Sequence, residues 1–268
     1  MATIGIFDSG AGGLSVFREI RKILPGERYI YFSDNAYCPY GEKSPDLILE
    51  RARKISDWLI TGGADIIVVA CNTATAAAIA ALREEYSETS GKVGQLSGGR
   101  KDHIRFIGME PAVKPAALGT KSGVIGVLAT AGTLAGSKYL NTKGRFEDDV
   151  KIIEHVGQGF VELVEEGRFS GPEAEDTVRQ SVRPLLDAGA DTIVLGCTHY
   201  PFLTDPIRKV AGPDIRIIDP APAVARQLLK VMDEEGIPHL GADAEKNPDV
   251  LLRSSGPSDS LMRVWRLI

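Results

Sequence analysis

Short apolar runs alternate along the chain with stretches of helical periodicity. Strands are predicted over 4–7, 29–32 and 66–70, and helices over 12–24, 45–60 and 73–85. In the first helix Leu14, Phe17, Ile20, Ile23 and Leu24 recur at helical spacing. In the second, Leu47, Ile48, Ile55, Leu59 and Ile60 share a side. Residues 86–105 break the rhythm with polar and Gly-rich sequence, which predicts a long surface connection. The pattern then restarts with strands over 106–109, 123–128, 150–153 and 192–195 and helices over 111–118, 133–141 and 172–188. Strand followed by helix, repeated, is the signature of a mainly parallel sheet covered on both faces, so the fold class is α/β.

An internal repeat organises these elements. Ala64-Asp65-Ile66-Ile67-Val68-Val69-Ala70-Cys71 recurs as Ala190-Asp191-Thr192-Ile193-Val194-Leu195-Gly196-Cys197, each copy preceded by a helix that ends in Gly. A weaker echo pairs Ile4-Gly5-Ile6-Phe7-Asp8-Ser9 with Ile125-Gly126-Val127-Leu128-Ala129-Thr130. Two pseudo-symmetric α/β halves account for both. In each half a cysteine falls just past the carboxyl end of a strand, where open α/β sheets bind their ligands.

Composition narrows the function. The 268 residues are 43% hydrophobic and 25% charged, an ordinary globular balance. With 31 basic and 36 acidic residues the net charge is −5, which gives no support to a nucleic-acid partner. The most apolar stretch, 64–82, contains Asp65, Asn72, Thr73 and Thr75, so it reads as strand and helix rather than a membrane span. Three widely spaced cysteines, Cys38, Cys71 and Cys197, with no C-x-x-C, fit a reducing compartment. No basic, apolar leader precedes Asp8, so a cytoplasmic location is expected. Oligomeric state is open; a homodimer is compatible with the sequence.

One strand-end cysteine alone reads best as a small buried hydrophobe. Two, placed equivalently in a repeat, read as chemistry. Two thiols facing one pocket suit inversion of a carbon acid, one as thiolate base and the other as thiol acid. A free thiol titrates near ~8.5, so each needs a partner to ionise it. Asp8 and His199 are candidates; the alternatives are a helix N-cap for Asp8 and a satisfied loop histidine for His199. Asp8-Ser9-Gly10-Ala11-Gly12-Gly13 matches neither phosphate-loop pattern. Ser9, Asn72, Thr73 and Thr198 supply neutral hydrogen-bonding groups for an amino-acid zwitterion. Cys38 has no repeat partner and reads as structural. Cys197 and His199 lack a third metal ligand in the sequence, and no cofactor motif occurs, so neither metal nor cofactor is expected.

Phe7-Asp8-Ser9-Gly10, Pro39-Tyr40-Gly41, Ala70-Cys71-Asn72-Thr73-Ala74 and Leu195-Gly196-Cys197-Thr198-His199-Tyr200-Pro201 resemble glutamate racemase, in that family's order and over nearly the whole chain. The resemblance implies a cofactor-independent racemase supplying D-glutamate for peptidoglycan, with its active site between two domains. The first domain would comprise residues 1–103 completed by 220–268, and the second 104–219. Cys71 and Cys197 become the acid/base pair, acting on D- and L-glutamate respectively. Asp8, His199 and an auxiliary Glu165 assist. Asp8, Ser9, Tyr40, Gly41, Asn72, Thr73, Thr198 and His199 become substrate contacts. The rival readings are a sister racemase for aspartate or a hydantoin, and a two-lobed binding protein without chemistry.

Overall fold

The computed structural model describes residues 1–242, 244 and 248–268; residues 243 and 245–247, within the expected 220–268 segment, lie outside them. The strands are β1 (Thr3–Asp8), β2 (Arg28–Ser33), β3 (Ile66–Val69), β4 (Phe106–Ile107), β5 (Val124–Ala129), β6 (Lys151–Val156), β7 (Thr192–Gly196), β8 (Arg216–Ile218) and β9 (Val250–Ser254). They form two parallel sheets, β4-β3-β1-β2-β9 and β6-β5-β7-β8. Reversing the second order superimposes β8-β7-β5-β6 on β4-β3-β1-β2, with β9 as the surplus strand. The sequence repeat therefore marks two α/β domains of like topology.

The central strands are apolar on both faces because both are covered. In β3, Ile66 and Val68 pack on one side with the helices Leu14–Ile23 and Ala221–Glu234. Ile67 and Val69 pack on the other with Pro45–Thr61 and Asn72–Glu85. The first of these clusters continues into the second domain through Leu128, Phe160, Leu195 and Tyr200. Pro45–Thr61 starts where Ser44 Oγ accepts from Leu47 N at 3.3 Å, and it buries Ile48, Ala52, Ile55 and Leu59.

Four sequence expectations change. Residues 86–105 are not a bare surface loop. They contain the helix Lys92–Ser97, and Tyr86, Val93 and Ile104 are buried against Leu82 and Phe106. The expected helix over 133–141 is two helices, Ala131–Leu134 and Ser137–Lys143. They are broken at Gly136, whose backbone is extended and where a Cβ would overlap the Ala76 methyl. The first sheet extends past the expected boundary at 103, because β4 pairs with β3 through Ile67–Phe106 and Val68–Ile107. Asp8 is not a helix N-cap: the helix begins at Leu14 after Gly13.

The repeated Asp of Ala-Asp has a structural task in both halves. Asp65 Oδ2 accepts from Thr3 N at 2.7 Å, at the start of β1. Asp191 Oδ2 accepts from Lys121 N at 2.6 Å and Ser122 N at 2.7 Å, and its Oδ1 from Thr120 Oγ1 at 2.7 Å, just before β5. Burial opposes ionisation of Asp191, but these donors outweigh it and hold the carboxyl down at about 2. A depressed carboxylate stabilises the fold above the ordinary range near ~4, and that contribution is lost as pH falls toward 2. Asp191→Ala is expected to lose about 1–2 kcal/mol in urea unfolding at pH 7, and the deficit should shrink below pH 4. A deficit unchanged at low pH would show that the carboxylate's charge is not its source.

Candidate active site

The carboxyl ends of β1, β3, β5 and β7 converge on one narrow cavity. Ser9, Tyr40, Gly41, Cys71, Asn72, Thr73 and Thr130 line it with Val161, Cys197, Thr198 and His199. The two cysteines of the repeat thus share one wall-to-wall space, though they are 126 residues apart in sequence.

Each thiol is held differently. Cys71 is the N-cap of Asn72–Glu85, and its Sγ accepts from Ala74 N at 3.4 Å. The helix N-terminus favours negative charge there. Burial nevertheless raises the Cys71 thiol well above its usual value, and the neighbouring Asp8 carboxylate adds to this. Asp8 is fully buried and is itself raised by that burial, against the pull of His199 and Cys71. Both neighbouring acids are thus pushed toward their protonated forms. Asp8 is fixed by Ser9 N at 2.7 Å, Gly13 N at 2.5 Å and Thr198 Oγ1 at 3.1 Å.

Cys197 has no helix at this place; the chain turns instead into the short 3-10 segment Tyr200–Leu203. Its partner is His199, whose Nδ1 lies 3.7 Å from Sγ. His199 Nε2 faces Glu165 Oε1 at 2.7 Å. Burial alone would pull this imidazole toward neutral. Its contacts with Cys197, Cys38 and Glu165 prevail and raise it well above its ordinary value. Glu165 is opposed by burial but lowered by His199, Ser260 and Ala11 N, so carboxylate and imidazolium form a pair. The Gly-rich loop makes room for it. A Cβ at Gly10 would overlap the Glu165 carboxylate, and one at Gly12 would overlap the His199 ring. These glycines serve close approach, not a phosphate.

The remaining predicted residues are also at or beside the cavity. Asn72 is 4% exposed, and neither atom of its side-chain amide has a partner among the described residues. A buried amide left so is costly unless a ligand completes it. Thr73 Oγ1 shares a hydrogen bond of 2.8 Å with Thr130 Oγ1 across the domain junction. Tyr40 is less free than expected, because its hydroxyl donates to Asp34 Oδ2 at 2.5 Å, leaving the ring and backbone for the cavity. Asp34 is buried and held in turn by Arg51 through contacts of 2.8 and 2.9 Å. Sequence reading missed Asp34, Arg51 and Thr130. Only Thr130 left a signal: it is the counterpart of Ser9 in the weaker echo.

Fold and cavity together define a two-domain α/β protein with a cavity where its like halves meet. The chain belongs to the Asp/Glu/Hydantoin racemase family, whose sequence pattern matches residues 4–228, and it is an isomerase. Its curated relatives are glutamate racemases. One from Roseiflexus sp. (strain RS-1) is 49% identical over 234 residues, 87% of this chain and 80% of that one. A solved glutamate racemase isoform from Bacillus anthracis superposes with a TM-score of 0.82 at 32% identity, covering 100% of this chain and 94% of that one. A glutamate racemase from Escherichia coli, solved with L-glutamate and the activator UDP-MurNAc-Ala, gives 0.81 at 32% identity, covering 99% and 93%.

Proposed function

We propose that this chain interconverts L- and D-glutamate by moving protons between two thiols and the two faces of Cα. The observation that carries this reading is the placement of Cys71 and Cys197 in one cavity, beside the unpartnered Asn72 amide. With L-glutamate, Cys197 as thiolate removes the Cα proton while Cys71 as thiol delivers its own proton to the opposite face. The enzyme ends with Cys197 as thiol and Cys71 as thiolate, and no electrons are gained or lost. Asp8 takes and returns the proton of Cys71; His199, steadied by Glu165, does so for Cys197. Ser9, Tyr40, Gly41, Asn72, Thr73, Thr198 and His199 hold the zwitterion and side-chain carboxylate.

Cys71 is kept as a thiol by its dry pocket and by Asp8, while Cys197 stands against an imidazolium. Residues 1–107 with 220–268 form one jaw and residues 108–219 the other. No pyridoxal group, nucleotide or metal takes part. The product would feed peptidoglycan synthesis in the cytoplasm; among the described residues no helix is long and apolar enough to cross a membrane.

The test is incubation of the purified protein with L-glutamate in heavy water, following optical rotation and deuterium at Cα. Rotation is expected to decay to zero, with deuterium entering the product. L-Aspartate and a chiral hydantoin, run in parallel, should be turned over far more slowly. Faster turnover of either would move the assignment to a sister racemase, and no turnover of any would leave a binding protein.

A further inference from the structure

The third cysteine has a place that its sequence does not suggest. Cys38 Sγ lies 4.0 Å from Glu165 Oε1, and Glu165 Oε1 lies 2.7 Å from His199 Nε2. One donor atom from each of Cys38, Glu165 and His199 falls within 4.8 Å of the others. Around a tetrahedral zinc, ligand atoms stand roughly 3–4 Å apart, so the three need only small adjustments to close on one ion. The set mixes a thiol, an imidazole and a carboxylate, the combination that selects zinc-like ions over magnesium or calcium. Supporting contacts exist as well. Ser260 Oγ donates to Glu165 Oε2, and His199 Nδ1 faces Cys197 Sγ, so Nδ1 keeps its proton when Nε2 gives up its own to an ion. His199 is buried, while Cys38 and Glu165 are both partly exposed and leave a way in.

We infer that Cys38, Glu165 and His199 form a binding site for a thiophilic divalent cation, and that its occupation switches the enzyme off. Binding replaces the proton between His199 Nε2 and Glu165 Oε1 and the thiol proton of Cys38, and both leave to solvent. A water completes the fourth position. The inhibition follows because the ion takes the imidazole and the carboxylate that serve Cys197; this half of the inference rests on the function proposed above, whereas binding does not.

Cobalt(II) reports the binding by its thiolate charge-transfer band. The wild-type protein is expected to bind one equivalent and show the band, and zinc chloride should displace it. Cys38→Ala and Cys38→Ser should lose the band and bind at least about 10-fold more weakly, and each variant's own metal-free turnover is the reference for its zinc inhibition. Cys71→Ala should keep the band. Zinc should inhibit wild type in both directions, reversibly with a chelator, at concentrations at least about 10-fold below those needed for the Cys38 variants. A band that survives in both Cys38 variants, or equal zinc sensitivity in them, would overturn the site and place the ion on Cys71 and Cys197. Stoichiometric binding through Cys38 that leaves turnover unchanged would overturn the switch, and would count against His199 as the proton partner of Cys197.

Discussion

Cys71→Ser and Cys197→Ser should each lower kcat for racemisation by about 10²–10⁴-fold in both directions, the usual range for losing a general acid or base. Each thiol acts once in every turnover, as base in one direction and acid in the other, so neither direction escapes. A serine hydroxyl keeps the size and, at position 71, the capping acceptor for Ala74 N, but it does not ionise near neutral pH. Folding should therefore be little changed, and melting temperature provides that control. Partial reactions should separate the two variants. Each retains one working thiol, so exchange of the Cα proton with heavy water should persist for one enantiomer only: D-glutamate when Cys71 remains and L-glutamate when Cys197 remains. Exchange of both enantiomers in either variant would sink the two-thiol scheme.

The second large effect concerns the helpers. Asp8→Asn should lower kcat from D-glutamate, where Cys71 is the base, by about 10²-fold, toward the low end for proton-transfer groups. His199→Asn should do the same from L-glutamate, where Cys197 is the base. The other direction should suffer less in each case. The ratio of kcat/KM in the two directions stays at the equilibrium value, so the asymmetry must appear in kcat and KM together. For Asp8 the structure supplies a check on stability. Asparagine removes a charge that burial disfavours, but turns an amide nitrogen toward the Gly13 N–H that Asp8 accepts at 2.5 Å. Directional rates measured beside melting temperature divide these effects. Folded variants with unchanged kcat in both directions would make Asp8 and His199 scaffold only.

Much of the fold was legible because the repeat is written in the strands that matter most. β3 and β7 are buried on both faces, so their apolar runs stand out, and the position just beyond each is where parallel sheets present their ligands. Two of the edge strands, β8 and β9, were not legible. β8 has three residues, and β9, Val-Leu-Leu-Arg-Ser, is only half-buried, so neither carries a strong pattern. The cavity was readable where its residues follow a strand end directly, as Ser9, Asn72, Thr73 and Thr198 do. Contacts made by loop residues away from the strand ends were not. Cys38 meets Glu165 over 127 residues of sequence, and Asp34 meets Tyr40 and Arg51 from a turn without periodicity. Gly10 and Gly12 were visible as a motif, but their partners, Glu165 and His199, become visible only in space.

Strand β9 bears on how the molecule is made. It lies parallel to β2, pairing Tyr29 with Val250 through Ser33 with Ser254. A ribosome delivers β1 to β4 first, then the whole second domain, and β9 only after it. Until then β2 is an open sheet edge, carrying Tyr29, Tyr31 and Phe32. The second domain, continuous in sequence, is free to fold while the chain is still growing; the first has to wait with an adhesive flank exposed. Nascent chains stalled before residue 250 should thus be the form most in need of chaperones, and the late-arriving strand is the seal that makes the first domain safe to release.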